Sequence, residues 1–193
     1  MLPEVVENKP IMSAKQMAGA NHILLVLPLT KKLDALGNVP YLDALQSALK
    51  RKHLQAEELA KSPLTMDLPH GGLSSWVMLD ETAPRFEQYT ILRKGVAALS
   101  GEQPKEIVLA LYGDAKQREL FADLAVYVAL LNSVALPSRK KKSEQAQVKK
   151  IVVYGAQSRD KHAQVRAVAE GNTLARELTM LPPNELTPGH YRA

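Results

Sequence analysis

Five histidines, His22, His53, His70, His162 and His190, are the side chains best suited to bind a metal or move protons at neutral pH. No two share a metal-ligand spacing such as i, i+4 on one helix, and no His-Glu-x-x-His is present. The chain has no cysteine, which removes thiolate metal sites and disulfide scaffolds and fits a reducing compartment. His70 stands before Gly71-Gly72, but no Gly-x-Ser-x-Gly elbow accompanies it, so a tight turn is expected there rather than an oxyanion loop. Asp80-Glu81 pairs two carboxylates at a strand end; adjacent side chains there point apart, and both are expected to meet solvent. Tyr112-Gly113-Asp114 lies where a strand meets a helix, a junction that can hold an anion on free helix N–H groups. Gly113 lacks the further glycines of a phosphate loop, so a plain turn is expected. These patterns predict no catalytic and no metal-binding residue within the chain.

One stretch offers binding chemistry of another kind. Arg139, Lys140, Lys141, Lys142, Lys149 and Lys150 face a single acid, Glu144, and this run carries the whole formal net charge of +5. Six cations so close together can contact several phosphates and give a salt-dependent affinity. That defines the alternative function, a nucleic-acid or nucleotide-binding accessory module. No aromatic residue is interleaved, and a solvated loop is the expected reading.

The elements that would position these residues alternate in type. Ile23 to Leu27 is a short apolar run ending at Pro28, a strand buried on both faces. Leu42, Leu45 and Leu49 recur at helical spacing, with Asn38 as the expected N-cap and Pro40 in the first turn. An extended segment near 63–68, a turn at 69–72 and a strand at 74–79 read as a hairpin. From Pro84 the apolar residues Phe86, Tyr89, Leu92, Val96 and Leu99 predict one buried helical face, ended by Ser100-Gly101. A strand over 107–112, a helix carrying Leu120, Leu124, Tyr127, Leu131 and Val134, and a strand over 150–154 follow. The last helix runs from an expected cap at Asp160 to about Met180, with Val165, Val168, Ala175 and Leu178 inward. This alternation predicts an α/β fold with a mixed, largely parallel sheet flanked by helices.

The 193 residues suffice for one domain with a core and a short appendage. Met1 to Pro10 holds two glutamates and two prolines and is no signal peptide, and no apolar run approaches a membrane span. A soluble, cytoplasmic protein is the expectation.

The end of the chain is its most specific part. Pro182-Pro183 stops the long helix, and Thr187-Pro188 is a start signal for another. Only about one turn follows before Ala193, so the sequence is expected to be a fragment. The run Asn172-Thr173-Leu174-Ala175-Arg176-Glu177-Leu178, followed by Pro182-Pro183-Asn184-Glu185-Leu186-Thr187-Pro188, resembles the segment that joins the two domains of leucyl (cytosol) aminopeptidases. One position departs from the family pattern: Met180 stands where an asparagine is usual. Upstream, the likeness lies only in the order and spacing of elements.

This resemblance implies a parent metalloexopeptidase that releases amino-terminal residues from peptides. It would use two divalent ions, manganese or zinc, held by a lysine, aspartates and a glutamate of a carboxy-terminal catalytic domain. The family signature Asn-Thr-Asp-Ala-Glu-Gly-Arg is not in this sequence. The expected arrangement is a macro-domain-like amino-terminal domain over 1–158, then a linker helix and connector over 159–193. No cofactor is expected in this part. The implied partners are its own catalytic domain, a homo-hexamer of the full-length protein, and peptide substrates. DNA is the minor candidate, through the basic run, and no membrane is expected. Asn172, Arg176, Pro183, Asn184, Thr187 and Pro188 are the expected linker and interface residues.

Overall fold

The computed structural model describes residues 2–134, 147–156, 158, 160 and 162–180. Six strands form one sheet in the order β1-β6-β5-β2-β4-β3. They are β1 (Glu4–Asn8), β2 (His22–Pro28), β3 (Leu64–Asp67), β4 (Leu73–Leu79), β5 (Glu106–Leu111) and β6 (Lys150–Tyr154). All neighbours pair in parallel except β3, which runs antiparallel to β4 at one edge. The mixed, largely parallel α/β fold expected from the alternation is the fold observed, hairpin included.

Successive strand side chains point to opposite faces, and each face builds its own core. Leu24 and Val26 of β2 join Val77, Leu109 and Val153 beneath α3 (Arg85–Ser100), α4 (Ala115–Asn132) and α5 (Ala163–Met180). Ile23, Leu25 and Leu27 face the other way, with Trp76 and Met78, against α1 (Ala14–Met17), α2 (Leu42–Arg51) and the 3-10 turns Leu33–Leu36 and Ala56–Ala60. The central strand β2 is therefore buried on both sides, as its unbroken apolar run requires.

Four expectations are corrected. Strand β1 is an addition: its five residues include only two valines and are mostly half-buried, so no hydrophobic run marks it, and it is defined by five residue pairs with β6. Asn38 does not cap α2. Tyr41 adopts a left-handed conformation, φ 59°, immediately before Leu42, and that break sets the helix start. Phe86 is 80% exposed, while Gln88, Ile91, Leu92, Gly95, Val96 and Leu99 form the buried face of α3. Each step of three residues falls about 60° short of a full turn, so Phe86, Tyr89 and Leu92 drift around the helix instead of stacking.

The fourth correction concerns α5. Asp160 lies in the turn before it, His162 has φ +56°, and the helix begins at Ala163. Val168 points outward at 56% exposure, and Ala169 is the buried residue. The helix docks through polar side chains: Arg166 Nη1 donates to Pro3 O at 2.9 Å, Asn172 Nδ2 to the Tyr127 hydroxyl at 2.7 Å, and Arg176 Nη1 to Leu131 O at 2.8 Å. Leu131 O is one of the last carbonyls of α4, which lack partners within their own helix, so Arg176 serves as a C-terminal cap from a neighbouring helix. Of the expected apolar stripe on α5, Val165 packs against the core, while Val168 and Ala175 are exposed, so the docked face is rotated from the stripe towards Ala169, Asn172 and Arg176. No helix among the described residues is long and apolar enough to cross a membrane.

Candidate functional site

A parallel sheet leaves a crevice beyond the carboxyl ends of two neighbouring strands whose connections depart to opposite faces. Strands β2 and β4 are such a pair. After β2 the chain turns to the α2 side, where Leu33 and Leu45 are buried, and after β4 it turns to α3, where Ile91 and Leu92 are buried. A cavity of about 560 Å³ occupies this point. Leu29, Thr30 and Lys31 line it from the end of β2, and Met78, Leu79, Asp80 and Ala83 from the end of β4. Glu87, Gln88 and Ile91 of α3 and Glu57, Ala60 and Lys61 of the second 3-10 turn complete the wall.

Local hydrogen bonds hold this wall in shape. The Asp80 carboxylate accepts from the Thr82 hydroxyl at 2.7 Å and from its amide at 2.8 Å. Those bonds, the hydroxyl first, hold Asp80 below the usual carboxylate range against a small opposing effect of burial. Gln88 is buried; its amide donates to Asp80 O at 2.7 Å and accepts from Arg85 at 3.0 Å. Lys94 Nζ donates to Lys61 O at 2.9 Å and ties α3 to the 3-10 turn.

The neighbouring strand end is closed. Asp114 caps α4 by accepting from Gln117 N at 2.8 Å, and Gln117 Oε1 accepts from Asp114 N at 3.0 Å. The Gln117 amide also reaches Glu81, and Arg118 donates to Gly113 O and to Gly155 O. An anion placed at Tyr112-Gly113-Asp114 would find the helix cap filled and the carboxylates of Asp114 and Glu81 beside it. The junction is a turn, and Glu81 meets α4 as well as solvent. Nearby, the buried Tyr112 hydroxyl donates to Met12 O at 3.1 Å.

Burial pushes the Tyr112 hydroxyl well above its ordinary value of 10.0. An unfolded tyrosine begins to ionise near that value, while the folded one keeps its proton. The stability it contributes is therefore full below about pH 10 and declines as the pH rises further. Tyr112→Phe is expected to flatten that alkaline decline, at a cost of about 1 kcal/mol at neutral pH for the lost hydrogen bond. Urea unfolding at neutral pH and at about pH 11 checks both halves of this expectation.

A cluster centred on a buried histidine joins β1, α4 and the start of α5. The His162 side chain is 2% exposed, with Nδ1 2.9 Å from Asp123 Oδ1 and Nε2 3.3 Å from Glu7 Oε1. Glu7 Oε2 accepts from Ser158 N at 3.0 Å, and Ser158 Oγ donates to Asp160. That hydroxyl is the main cause of a lowered Asp160 pKa. The two carboxylates face opposite nitrogens of one ring and cannot converge on a single ion. No group of three or more His, Asp or Glu side chains able to hold a metal occurs among the described residues. The sequence signalled nothing here beyond a lone histidine, because its partners lie 39 and 155 positions away.

The remaining residues singled out by the sequence are scattered. Lys149 and Lys150 sit at the start of β6, where Lys150 Nζ is 3.3 Å from Glu106 Oε2, at the end of the sheet opposite the cavity. Arg139, Lys140, Lys141 and Lys142 lie outside the described residues, as do Pro183, Asn184, Thr187 and Pro188. His22 pairs with Glu102 at 2.8 Å, and His70 Nε2 lies 3.0 Å from Ala20 O beside its turn.

No protein-family model and no curated protein matches the chain. Solved structures do. A tomato leucine aminopeptidase mutant superposes with a TM-score of 0.71 at 17% identity, over 97% of this chain and 40% of that one. The bottromycin maturation enzyme, solved in complex with manganese, gives 0.62 at 16% identity, over 89% of this chain and 34% of its own. A cytosol aminopeptidase from Coxiella burnetii gives 0.59 at 13% identity, over 96% and 35%. The chain thus has the fold of a part of these leucine and cytosol aminopeptidases, and it spans two fifths of their length or less.

Proposed function

We propose that this chain is the amino-terminal, non-catalytic domain of a two-metal leucyl aminopeptidase, and that α5 with the connector after it leads into the catalytic domain. The observation that carries the reading is the fold likeness to leucine and cytosol aminopeptidases over nearly the whole chain. The Asn172–Leu178 and Pro182–Pro188 signature supports it independently. A further structural neighbour, the bottromycin maturation enzyme, was solved with manganese, which supports a metal-dependent parent. In this reading Mn or Zn ions belong to the catalytic domain, the hexamer to the full-length protein, and the domain described here serves assembly or regulation. Asn172 and Arg176 then act as anchors that fix the helix leading to the catalytic domain.

The purified 193-residue chain, assayed with leucine p-nitroanilide and manganese, is expected to give no turnover. The chain extended through a carboxy-terminal domain is expected to be active under the same conditions. Clear turnover by the short chain, free of contaminating peptidase, would overturn the reading.

A further inference from the structure

We propose that the cavity between the ends of β2 and β4 binds a small zwitterion with an aliphatic side chain, the chemistry of a free aliphatic amino acid or a very short peptide. Its accessible apolar floor is formed by Leu29, 42% exposed, and the half-buried Ala60 and Ala83, over the buried Met78, Leu79 and Ile91, and its volume of about 560 Å³ lies within the range of small-molecule sites. Lys31, Lys61, Glu57 and Glu87 stand around it. All four are exposed, and among the described residues none is in an ion pair. Asp80 and Gln88 are already committed to Thr82, Arg85 and the Asp80 carbonyl, so these four charges are the groups left to meet a ligand.

The lining discriminates among ligand classes. A nucleotide would bring its phosphates among Glu57, Asp80 and Glu87, and no aromatic side chain lines the cavity to stack a base. A purely apolar ligand would gain nothing from the charges and would hinder their hydration. An ammonium and a carboxylate on one small body answer both signs, while an aliphatic side chain covers the floor. The proposal concerns this chain's own cavity and stands apart from the peptidase reading.

Calorimetry on the purified chain, with amide chemical shifts to locate the site, tests it using L-leucine and the dipeptide Leu-Leu. At least one is expected to bind with a dissociation constant on the order of a millimolar, moving resonances of Lys31, Ala83 and Glu87. Leucine alone binding identifies a free amino acid as the ligand; Leu-Leu alone identifies a peptide. N-acetyl-leucine and leucine amide each lack one charge and are expected to bind about tenfold more weakly or worse. Ala83→Trp, which fills the cavity, and Glu87→Lys, at an exposed position, should each weaken binding by about tenfold or more. Glu87→Lys reverses a charge in the first turn of α3 and should lower the unfolding midpoint by only a few degrees, leaving the fold intact. No saturable binding of either ligand, equal binding of the capped forms, or binding unmoved by both substitutions would overturn the proposal.

Discussion

Gly155→Ala is expected to destabilise the domain by about 3 kcal/mol and to lower Tm by roughly 10 °C. Gly155 closes β6 with φ +99°, a backbone conformation that side-chain-bearing residues rarely adopt. A Cβ there would lie 2.5 Å from Leu111 O, a main-chain atom of the adjacent strand that cannot swing aside. Gly155 N meets Asn8 O at 3.0 Å and Pro10 O at 2.9 Å, and its carbonyl accepts from Arg118. Any shift of residue 155 that relieves the clash therefore pulls on β1, β5 and α4 together. Gly113→Ala makes the control. Its φ is +114°, but the nearest obstacle is Gln117 Oε1, the end of a flexible side chain that can move at the cost of its bond to Asp114 N. Its expected cost is smaller, about 1–2 kcal/mol. Urea denaturation of both variants decides the matter, and equal losses would show that backbone conformation alone, and not the approach to Leu111 O, sets the cost.

His162→Asn is expected to cost about 2–3 kcal/mol. Asparagine tolerates the positive φ at this position better than most residues, so the substitution isolates the side chain from the backbone. Without the imidazole, the Glu7 carboxyl, 7% exposed, loses the ring that faces its Oε1 at 3.3 Å and, among the described residues, keeps the amide of Ser158 as its hydrogen-bond partner. Glu7→Gln introduced alongside should recover about 1 kcal/mol, because a neutral amide is less costly to leave in that position. A loss within about 0.5 kcal/mol for His162→Asn would mean that the cluster is incidental to stability. The exposed Asp123, at 61%, is expected to contribute little when replaced by Asn.

Elements with a strong internal pattern were legible in the sequence: the apolar runs of β2, β5 and β6 and the helix after Pro84 are where their residues place them. What escaped depends on partners distant in the chain. Glu4–Asn8 carries no distinctive periodicity and becomes a strand only because β6 offers an unpaired edge. The orientation of α5 is set by Arg166, Asn172 and Arg176 finding a carbonyl or hydroxyl on other elements, which an apolar count cannot anticipate. The cavity was invisible for the same reason: Lys31, Glu57, Asp80 and Glu87 come from four segments, and each alone is an ordinary surface charge. The closing motif, by contrast, was legible as a local signature and pointed to the same aminopeptidases whose structures share the fold.

The pairing of β1 with β6 bears on how the chain is made as well as on how it stands. Asn8 and Val153 meet across 145 residues of sequence. The first strand of this sheet in chain order is thus among the last to find its place, and the edge of β5 stays open until β6 has emerged. Folding of the β2, β4 and β5 centre can run ahead during synthesis, whereas closure of the β1 edge waits on loop-closing contacts of high sequence separation. Constraints on the order of assembly therefore fall on the two ends of the domain, and a polypeptide stopped short of residue 150 would leave β1 without a strand to pair with.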